Sequence, residues 1–156
     1  MWSRTNLVFA SFSPCLARRT NPQSLHLHYR AMSEIKALNT KKAMQPVGPY
    51  SQAVQANNQI FVSGQLPADA AGNLVEGSIA DKTKACCEGM KNILEDAGSS
   101  LSKVVKVNVF LTSMGDFAEM NSVYEQYFTH KPARSCVAVK ELPKGVPVEI
   151  EAIALA

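Results

Sequence analysis

The chain has 156 residues, of which 46% are hydrophobic and 19% charged, a balance typical of a globular protein with one core. No apolar run approaches the roughly 20 residues that a membrane-spanning helix needs. Although the formal net charge is +3, residues 34–156 hold twelve basic and thirteen acidic side chains, a net charge of −1 with scattered lysines, which argues against a nucleic-acid-binding surface.

The first 33 residues differ from the rest in composition. They contain four arginines, several serines and no acidic residue, and they lack the long apolar centre of a secretory signal. We therefore predict a mitochondrial targeting leader over residues 1–33 and a single domain over residues 34–156 in the matrix. A merely disordered tail is the alternative. Met32 could also act as a second start site, which would give a cytosolic form.

The cysteine and histidine patterns argue against a disulfide-stabilised domain and against a metal-stabilised one. Cys15 precedes the predicted domain, which keeps only Cys86, Cys87 and Cys136, too few for a disulfide framework. Within residues 34–156 the single histidine is His130, and no Cys/His spacing resembles a metal site. We expect a reducing compartment and no metal.

The domain begins with strands and then changes to a helical period. "MQPVGPYSQAV" predicts an irregular start followed by a short strand, and "QIFVSGQLP" at 59–67 predicts a second strand. A helix over about 79–97 follows, with Ser78 and Asp81 to cap its start and Gly98 to end it. Its apolar face repeats at three- and four-residue steps through Ile79, Thr83, Cys86, Met90, Ile93 and Ala97.

The second half repeats the alternation of strand and helix. "KVVKVNVFLTS" at 103–113 predicts a strand, and a second helix should run to about residue 128, capped by Asp116 and Glu119. Its apolar stripe comprises Phe117, Met120, Tyr124 and either Tyr127 or Phe128. Two final strands, about 134–140 and 147–155, complete an α+β sandwich with both helices on one face of the sheet.

The last strand, "VEIEAIALA", has two faces of different character. One alternating set is wholly apolar, and the other is apolar except for Glu149 and Glu151 at its start. Because the helices cover one face only, the second face needs a partner chain, and we predict an oligomer with these glutamates near the junction.

Four ordered motifs resemble the signatures of the YjgF/RidA family of reactive-intermediate deaminases. They are "VGPYSQAV", "FVSGQLP", "PARSCVAV" and "LPKGVPVEIEAIA". The resemblance runs from about residue 35 to the C-terminus, and with the leader it extends to the mitochondrial members from fungi. It implies a homotrimer with a mixed sheet, a chorismate-mutase-like fold and sites between subunits.

The same resemblance implies an activity without a cofactor. Family members are expected to hydrolyse 2-iminobutanoate and 2-iminopropanoate, the imine tautomers of 2-aminocrotonate and 2-aminoacrylate, to 2-ketoacids and ammonia. Pyridoxal-phosphate-dependent dehydratases acting on serine and threonine release these intermediates, so the implied role is metabolite damage control linked to branched-chain amino acid biosynthesis.

Two residues are the candidate catalytic groups. Arg134 matches the family's carboxylate-binding arginine, and a guanidinium can fork onto both carboxylate oxygens. From the residues alone, Arg134 could equally face water or pair with a resident carboxylate such as Glu149. Glu149 matches the glutamate thought to handle the water, although a strand-end salt bridge is the plainer interpretation and Glu151 points the same way.

Five further residues match the family's substrate-binding positions. Tyr50 and Ser63 would line the pocket, Gly64 would allow close backbone approach, and Asn121 would add a polar group from the second helix. Cys136 points to the same side as Arg134 and would contribute main-chain groups rather than a nucleophile, since no histidine base accompanies it. Each could instead be ordinary turn, interface, helix-surface or core structure.

Two other functions remain as alternatives. Some family members have been described as endoribonucleases or translation inhibitors, but the charge of −1 and the single histidine within residues 34–156 argue against RNA cleavage. A non-enzymatic, chaperone-like mitochondrial partner would use exposed apolar surface and would not require Arg134.

Overall fold

A six-stranded mixed sheet with two helices on one face makes up the described part of this computed structural model, residues 34–156. The predicted leader, residues 1–33, lies outside the described residues. The elements are β1 Lys36–Leu38, β2 Ala53–Ala56, β3 Gln59–Gln65, α1 Ile79–Asp96, β4 Val104–Leu111, α2 Phe117–Tyr127, β5 Ala133–Ala138 and β6 Val148–Leu155. Short 3-10 turns occupy Leu101–Lys103, Met114–Asp116 and Pro143–Gly145. The predicted α+β class is confirmed.

The strand order in the sheet is β1-β2-β3-β6-β4-β5. Each neighbouring pair is antiparallel except β4 and β5, which run parallel and are connected through α2. The C-terminal strand β6 is therefore central, and β5 is an edge strand. A short strand, β1, that the sequence analysis did not predict forms the opposite edge.

The core lies between the helices and one face of the sheet. Helix α1 packs against β3, β6 and α2. Five of the six residues predicted for its apolar face are buried, and the sixth, Ala97, packs against the core from just beyond the helix. From the sheet, the core takes Val107, Val109 and Leu111 of β4 and the alternating apolar set of β6.

The capping of α1 follows the prediction, whereas that of α2 does not. Ser78 accepts a hydrogen bond from the Asp81 backbone N–H, and the Asp81 carboxylate accepts one from the Ser78 N–H, which completes a capping box. Asp116 makes no side-chain cap because the preceding 3-10 turn already places it in a helical conformation. Ser113 caps that turn instead, and Glu119 accepts from the Ala80 N–H at the start of α1.

The second face of the sheet is uncovered in the described chain. It carries Phe61, Ile153 and Leu155 together with polar side chains of β4 and β6. Phe61 and Leu155 are 41% and 44% exposed, which is unusual for large apolar residues on the two central strands of a sheet. This open face matches the two-faced pattern of the last strand, and the oligomer inferred from it stays a prediction.

Candidate functional site

Arg134 lies on β5 and faces the helices. It pairs in register with Val107 of β4, a fully buried core residue, and residues paired across a sheet point to the same side. Because β5 is an edge strand, the Arg134 side chain emerges at the margin of the core, beside α2, where it is partly exposed.

Three side chains of α2 surround the guanidinium. Arg134 Nη1 donates a hydrogen bond to Asn121 Oδ1 at 2.6 Å. Arg134 Cζ lies 4.6 Å from the ring centroid of Tyr124 and 5.6 Å from that of Phe117, both within the range of a cation–π interaction. The cleft beside these groups, which we call the Arg134 cleft, is also bordered by Glu125, Lys131 and Pro132.

No carboxylate of the described residues pairs with Arg134. The ion pairs within residues 34–156 are Lys42–Asp96 and Lys91–Glu88, and the hydrogen-bond partner of Arg134 is a neutral amide. The sequence left three possibilities for Arg134, which were exposure to water, a resident carboxylate and the carboxylate of a ligand. The described residues therefore exclude a resident carboxylate from the same chain.

Cys136 lies two residues from Arg134 on the same face, as strand alternation predicts. It pairs in register with the buried Val109 and packs against the core. Burial raises the pKa of the Cys136 thiol, and the nearby Arg134 cation only partly offsets this effect. A neutral thiol is a poor nucleophile, so this environment fits a wall of the site better than a covalent catalyst.

Glu149 belongs to a second cleft. We call it the Glu149 cleft, and four of the predicted site residues line it together with Glu151. Its lining comprises Val47, Tyr50, Ser63, Gly64, Leu66, Pro143, Glu149 and Glu151. The structure thus brings Tyr50, Ser63 and Gly64 to Glu149, while Asn121 and Cys136 accompany Arg134.

Gly64 is required by the position of Glu149. A Cβ atom built on Gly64 would overlap Glu149 Oε1 and come within 2.7 Å of the carboxyl carbon. The register of β3 against β6 is irregular between Val62 and Gln65, and this bulge lets the Glu149 side chain lie against the backbone. Gly64 thus leaves space beside its backbone, in agreement with the close approach expected from the sequence, and the Glu149 carboxyl fills that space.

The Glu149 carboxyl is held in a partly buried and negatively charged environment. Burial raises the pKa of Glu149, and the neighbouring Glu151 carboxylate raises it further. Glu151 itself accepts a hydrogen bond from Asn108 Nδ2 at 2.7 Å. Of the two glutamates that the sequence could not separate, Glu149 therefore has the environment of a proton donor, and Glu151 has a fixed partner.

Ser63 and Tyr50 are positioned through the backbone next to β2. Ser63 Oγ donates to the Ser51 carbonyl at 2.7 Å, and the Tyr50 hydroxyl accepts from the Val47 N–H at 3.4 Å. Gln52, which is buried, anchors the preceding segment, because its side-chain oxygen accepts from the Thr40 N–H and its amide group donates to nearby carbonyls. The Glu149 cleft is thus bordered by side chains that hydrogen-bond to the local backbone, next to a segment that Gln52 anchors through buried hydrogen bonds.

The two clefts lie on opposite faces of the sheet. Glu149 alternates with the fully buried Val148 and Ile150, so its side chain points to the open face, whereas Arg134 points to the helices. Glu149 is level with Phe110, three residues along β4 from the partner of Arg134, and two strand spacings separate β5 from β6. These offsets place the two Cα atoms about 14 Å apart. One chain therefore cannot apply both groups to one small molecule.

Metal-binding and membrane-spanning features are absent from the described residues. Within residues 34–156 no group of three or more His, Cys, Asp or Glu side chains could hold a metal ion. No helix in this range is long and apolar enough to cross a membrane.

The aromatic surroundings of Arg134 were not expected from the sequence. Phe117 and Tyr124 were assigned to the apolar stripe of α2, which is correct, but their contact with the guanidinium was not foreseen. The signal was present in the spacing, since Phe117, Asn121 and Tyr124 recur at four and three residues and share one helical face. The sequence did not reveal that this helical face contacts Arg134, because nothing in the sequence indicates that β5 pairs with β4.

Comparisons with known proteins agree on one family. Residues 40–156 match the family model described as Endoribonuclease L-PSP. The mitochondrial protein MMF1 of Saccharomyces cerevisiae is 48% identical over 127 residues, covering 81% of this chain and 88% of that protein. A protein of Dermatophagoides farinae named 2-iminobutanoate/2-iminopropanoate deaminase is 44% identical over 124 residues, covering 78% and 97% respectively.

A solved structure with a bound amino acid has the same fold. The crystal structure of Escherichia coli TdcF with bound serine superposes with a TM-score of 0.74 at 39% identity, covering 78% of this chain and 99% of that one. This sequence identity over most of both chains shows that the two proteins share the fold as well as the sequence motifs.

Proposed function

The chain belongs to the YjgF/RidA family, and on that premise we propose that it hydrolyses reactive 2-iminoacids to 2-ketoacids and ammonia. The substrates are the imine tautomers of 2-aminoacrylate and 2-aminocrotonate, released by dehydratases acting on serine and threonine. The mature protein works in the mitochondrial matrix as a homotrimer with sites between subunits. No cofactor takes part.

The observation that carries this proposal is an oriented guanidinium without a resident carboxylate. Arg134 is fixed by Asn121 and Tyr124, yet only one of its five N–H groups is engaged by the described residues. The free N–H groups can fork onto both oxygens of a carboxylate, which a lysine ammonium cannot do. A 2-iminoacid carries that carboxylate next to the carbon that water must attack.

Glu149 supplies the proton chemistry. Its raised pKa favours the neutral acid, which donates its proton to the imine nitrogen while water adds to C2. The second proton of that water passes to the Glu149 carboxylate, which then protonates the amine of the resulting carbinolamine. The amine leaves as ammonia while the C2 hydroxyl becomes a carbonyl, and the hydroxyl proton returns to Glu149. One water is consumed, one C=N bond is replaced by C=O, and the acid is regenerated.

Subunit association completes the site. Since Arg134 and Glu149 lie on opposite faces about 14 Å apart in one chain, a single substrate can meet both only across a junction between chains. The exposed apolar residues of the open face give that junction its driving force. The trimer is thus part of the proposed active site.

The deaminase proposal is tested with imines generated in solution. Threonine and a threonine dehydratase produce 2-aminocrotonate, and loss of its imine is followed against semicarbazide trapping, with and without the purified protein. We expect accelerated loss with wild-type protein and little acceleration with Arg134→Ala or Arg134→Lys. Lys140→Ala, which removes an exposed cation just beyond β5, is the control and should behave as wild type. Full activity of Arg134→Ala would contradict the proposal.

Ribonuclease activity is a second candidate because the matching family model is described as an endoribonuclease. Residues 34–156 have a net charge of −1, which gives weak electrostatic attraction for a phosphate backbone. RNA cleavage by the same preparation, unaffected by Arg134→Ala and Glu149→Gln, would favour this second function at another site.

A further inference from the structure

The stripe of α2 that faces Arg134 suggests a role for Tyr124 that the proposed function does not itself assign. We propose that Tyr124 and Asn121 form a cradle that positions the Arg134 guanidinium, with the Tyr124 ring face as its floor and the Asn121 carboxamide as its edge. This inference rests on the proposed function for its catalytic consequence. In it, Asn121 acts on the arginine rather than on the substrate.

The floor of the cradle is rigid. Tyr124 is 7% exposed and stacks on Phe128, which is 1% exposed, with ring centroids 4.5 Å apart. Phe128 belongs to the core cluster between the helices and the sheet. Arg134 Cζ lies over this fixed ring, 4.6 Å from its centroid, so the guanidinium is held against the aromatic surface.

The hydroxyl of Tyr124 makes no hydrogen bond to Arg134. Tyr124 Oη is buried and has no hydrogen-bond partner among the described residues. An unsatisfied buried hydroxyl costs stability, so the side chain is not accounted for by a polar role of its own. Burial also raises the pKa of Tyr124 to about 12, so the phenol is neutral and offers the arginine its ring rather than a phenolate.

Asn121 restricts rotation of the Arg134 guanidinium and leaves most of its N–H donors free for a ligand carboxylate. Asn121 Oδ1 takes one N–H of Nη1, and an amide oxygen carries no net charge that would compete with an arriving carboxylate. A carboxylate at this position would neutralise the arginine in the free protein. The neutral amide therefore holds the guanidinium plane and leaves the remaining donors for the ligand.

The cradle can be tested in the full chain without substrate. Exchange by rotation about the guanidinium C–N bonds of Arg134 is measured by nitrogen-15 NMR, with the resonance assigned by its loss in Arg134→Lys. We expect slow rotation in wild type and Tyr124→Phe, and faster rotation in Tyr124→Leu and Asn121→Ala. Tyr127→Leu is the matched control, because Tyr127 lies on the same helix but donates its hydroxyl to Glu88.

Kinetics separates positioning from general packing. We expect KM for the imine to rise about tenfold in Tyr124→Leu, the loss of one desolvated cation–π contact, with full rescue by Tyr124→Phe. Tyr127→Leu should leave KM near wild type. Thermal unfolding of each variant shows whether Tyr124→Leu is folded. If that variant is not folded, the KM and guanidinium rotation of Asn121→Ala test the cradle instead.

Specific results would overturn the cradle. They are guanidinium rotation as slow in folded Tyr124→Leu or Asn121→Ala as in wild type, or a Tyr124→Phe protein as impaired as Tyr124→Leu. Failure of the proposed function has a different signature, since wild-type protein would then not accelerate imine loss while the rotation measurements on the free protein kept their expected order.

Discussion

At the scale of single residues, Gly64 and Glu149 form the contact on which the proposed proton chemistry depends. The glycine has no positive φ, so its role rests on the space that its missing side chain leaves for the Glu149 carboxyl. The sequence alone did not show that Glu149 requires a glycine at position 64, because a glycine in or after a strand more commonly indicates a turn or a bulge.

Gly64→Ala should abolish most activity while the fold persists. The new methyl group would occupy the position of Glu149 Oε1 and force the carboxyl out of the cleft. The measurement is kcat/KM for imine hydrolysis, with circular dichroism to check the fold. Gly115→Ala is a matched control, since a Cβ there meets only Ser113 Oγ at 3.2 Å. Equal activity of the two variants would contradict the proposed placement of Glu149.

Glu149→Gln should lower kcat by about 10²- to 10⁴-fold, the range expected for general acid–base help. The acid form of Glu149 is the donor, so wild-type kcat/KM should fall as pH rises through the raised pKa of the folded protein. Removing the Glu151 charge with Glu151→Gln lowers that pKa, and the falling limb should move to lower pH. A limb that stays in place would show that Glu151 does not act on Glu149.

The same pKa shift predicts that Glu149→Gln gains stability at neutral pH although it loses activity. A carboxyl whose pKa is raised on folding contributes stability that is present at low pH and is lost as pH rises through the folded pKa. Glu149→Gln keeps the neutral state at every pH, so its midpoint of thermal unfolding should exceed that of wild type at neutral pH. No such gain would indicate that the carboxylate is accommodated without cost.

At the scale of elements, the long periodic segments were predictable and the short ones were not. Helix α1 was predicted to end at residue 97 and ends at Asp96, because eighteen residues of helical periodicity and a capping box act together. Strand β1 was missed because three residues give no period to read. The Asp116 cap was wrong because a 3-10 turn precedes α2, and capping motifs in the sequence do not distinguish the two kinds of turn.

Ser78→Ala should lower the free energy of unfolding by about 1 kcal/mol, the usual effect of losing an N-cap hydrogen bond. Asp116→Ala is the comparison at the start of α2 and should cost less, because Asp116 makes no capping hydrogen bond. Chemical denaturation of the two variants measures the difference. Both should keep wild-type imine hydrolysis, and a larger loss of stability in Asp116→Ala would contradict the observed caps.

The candidate site was predictable only in part, for a reason that lies in strand order. Alternation within one strand placed Arg134 and Cys136 on the same side correctly, whereas the family motifs assigned Tyr50, Ser63 and Gly64 to one pocket with both of them. Sequence could not reveal that β5 joins β4 in parallel or that β6 is central, since pairing depends on contacts distant in the chain. The opposite facing of Arg134 and Glu149 follows from that pairing.

At the scale of the whole molecule, two incomplete clefts and an uncovered sheet face have one explanation. Each chain offers a guanidinium on its helix side and a carboxyl on its open side, and neither cleft holds the complete chemistry. We propose that the association that covers Phe61 and Leu155 also brings the edge strand β5 of one chain, which carries Arg134, to the Glu149 of another. The proposed trimer thus accounts for both the apolar exposure and the division of the site.

The most direct test of this composite site is complementation between two inactive variants. Arg134→Ala and Glu149→Gln chains are mixed in equal amounts, dissociated and reassembled, and imine hydrolysis is measured. In random mixed trimers about one quarter of the junctions pair an intact arginine with an intact glutamate from different chains, so roughly that fraction of wild-type activity should return. Labelled chains that co-assemble yet stay as inactive as either parent would contradict a site shared between subunits.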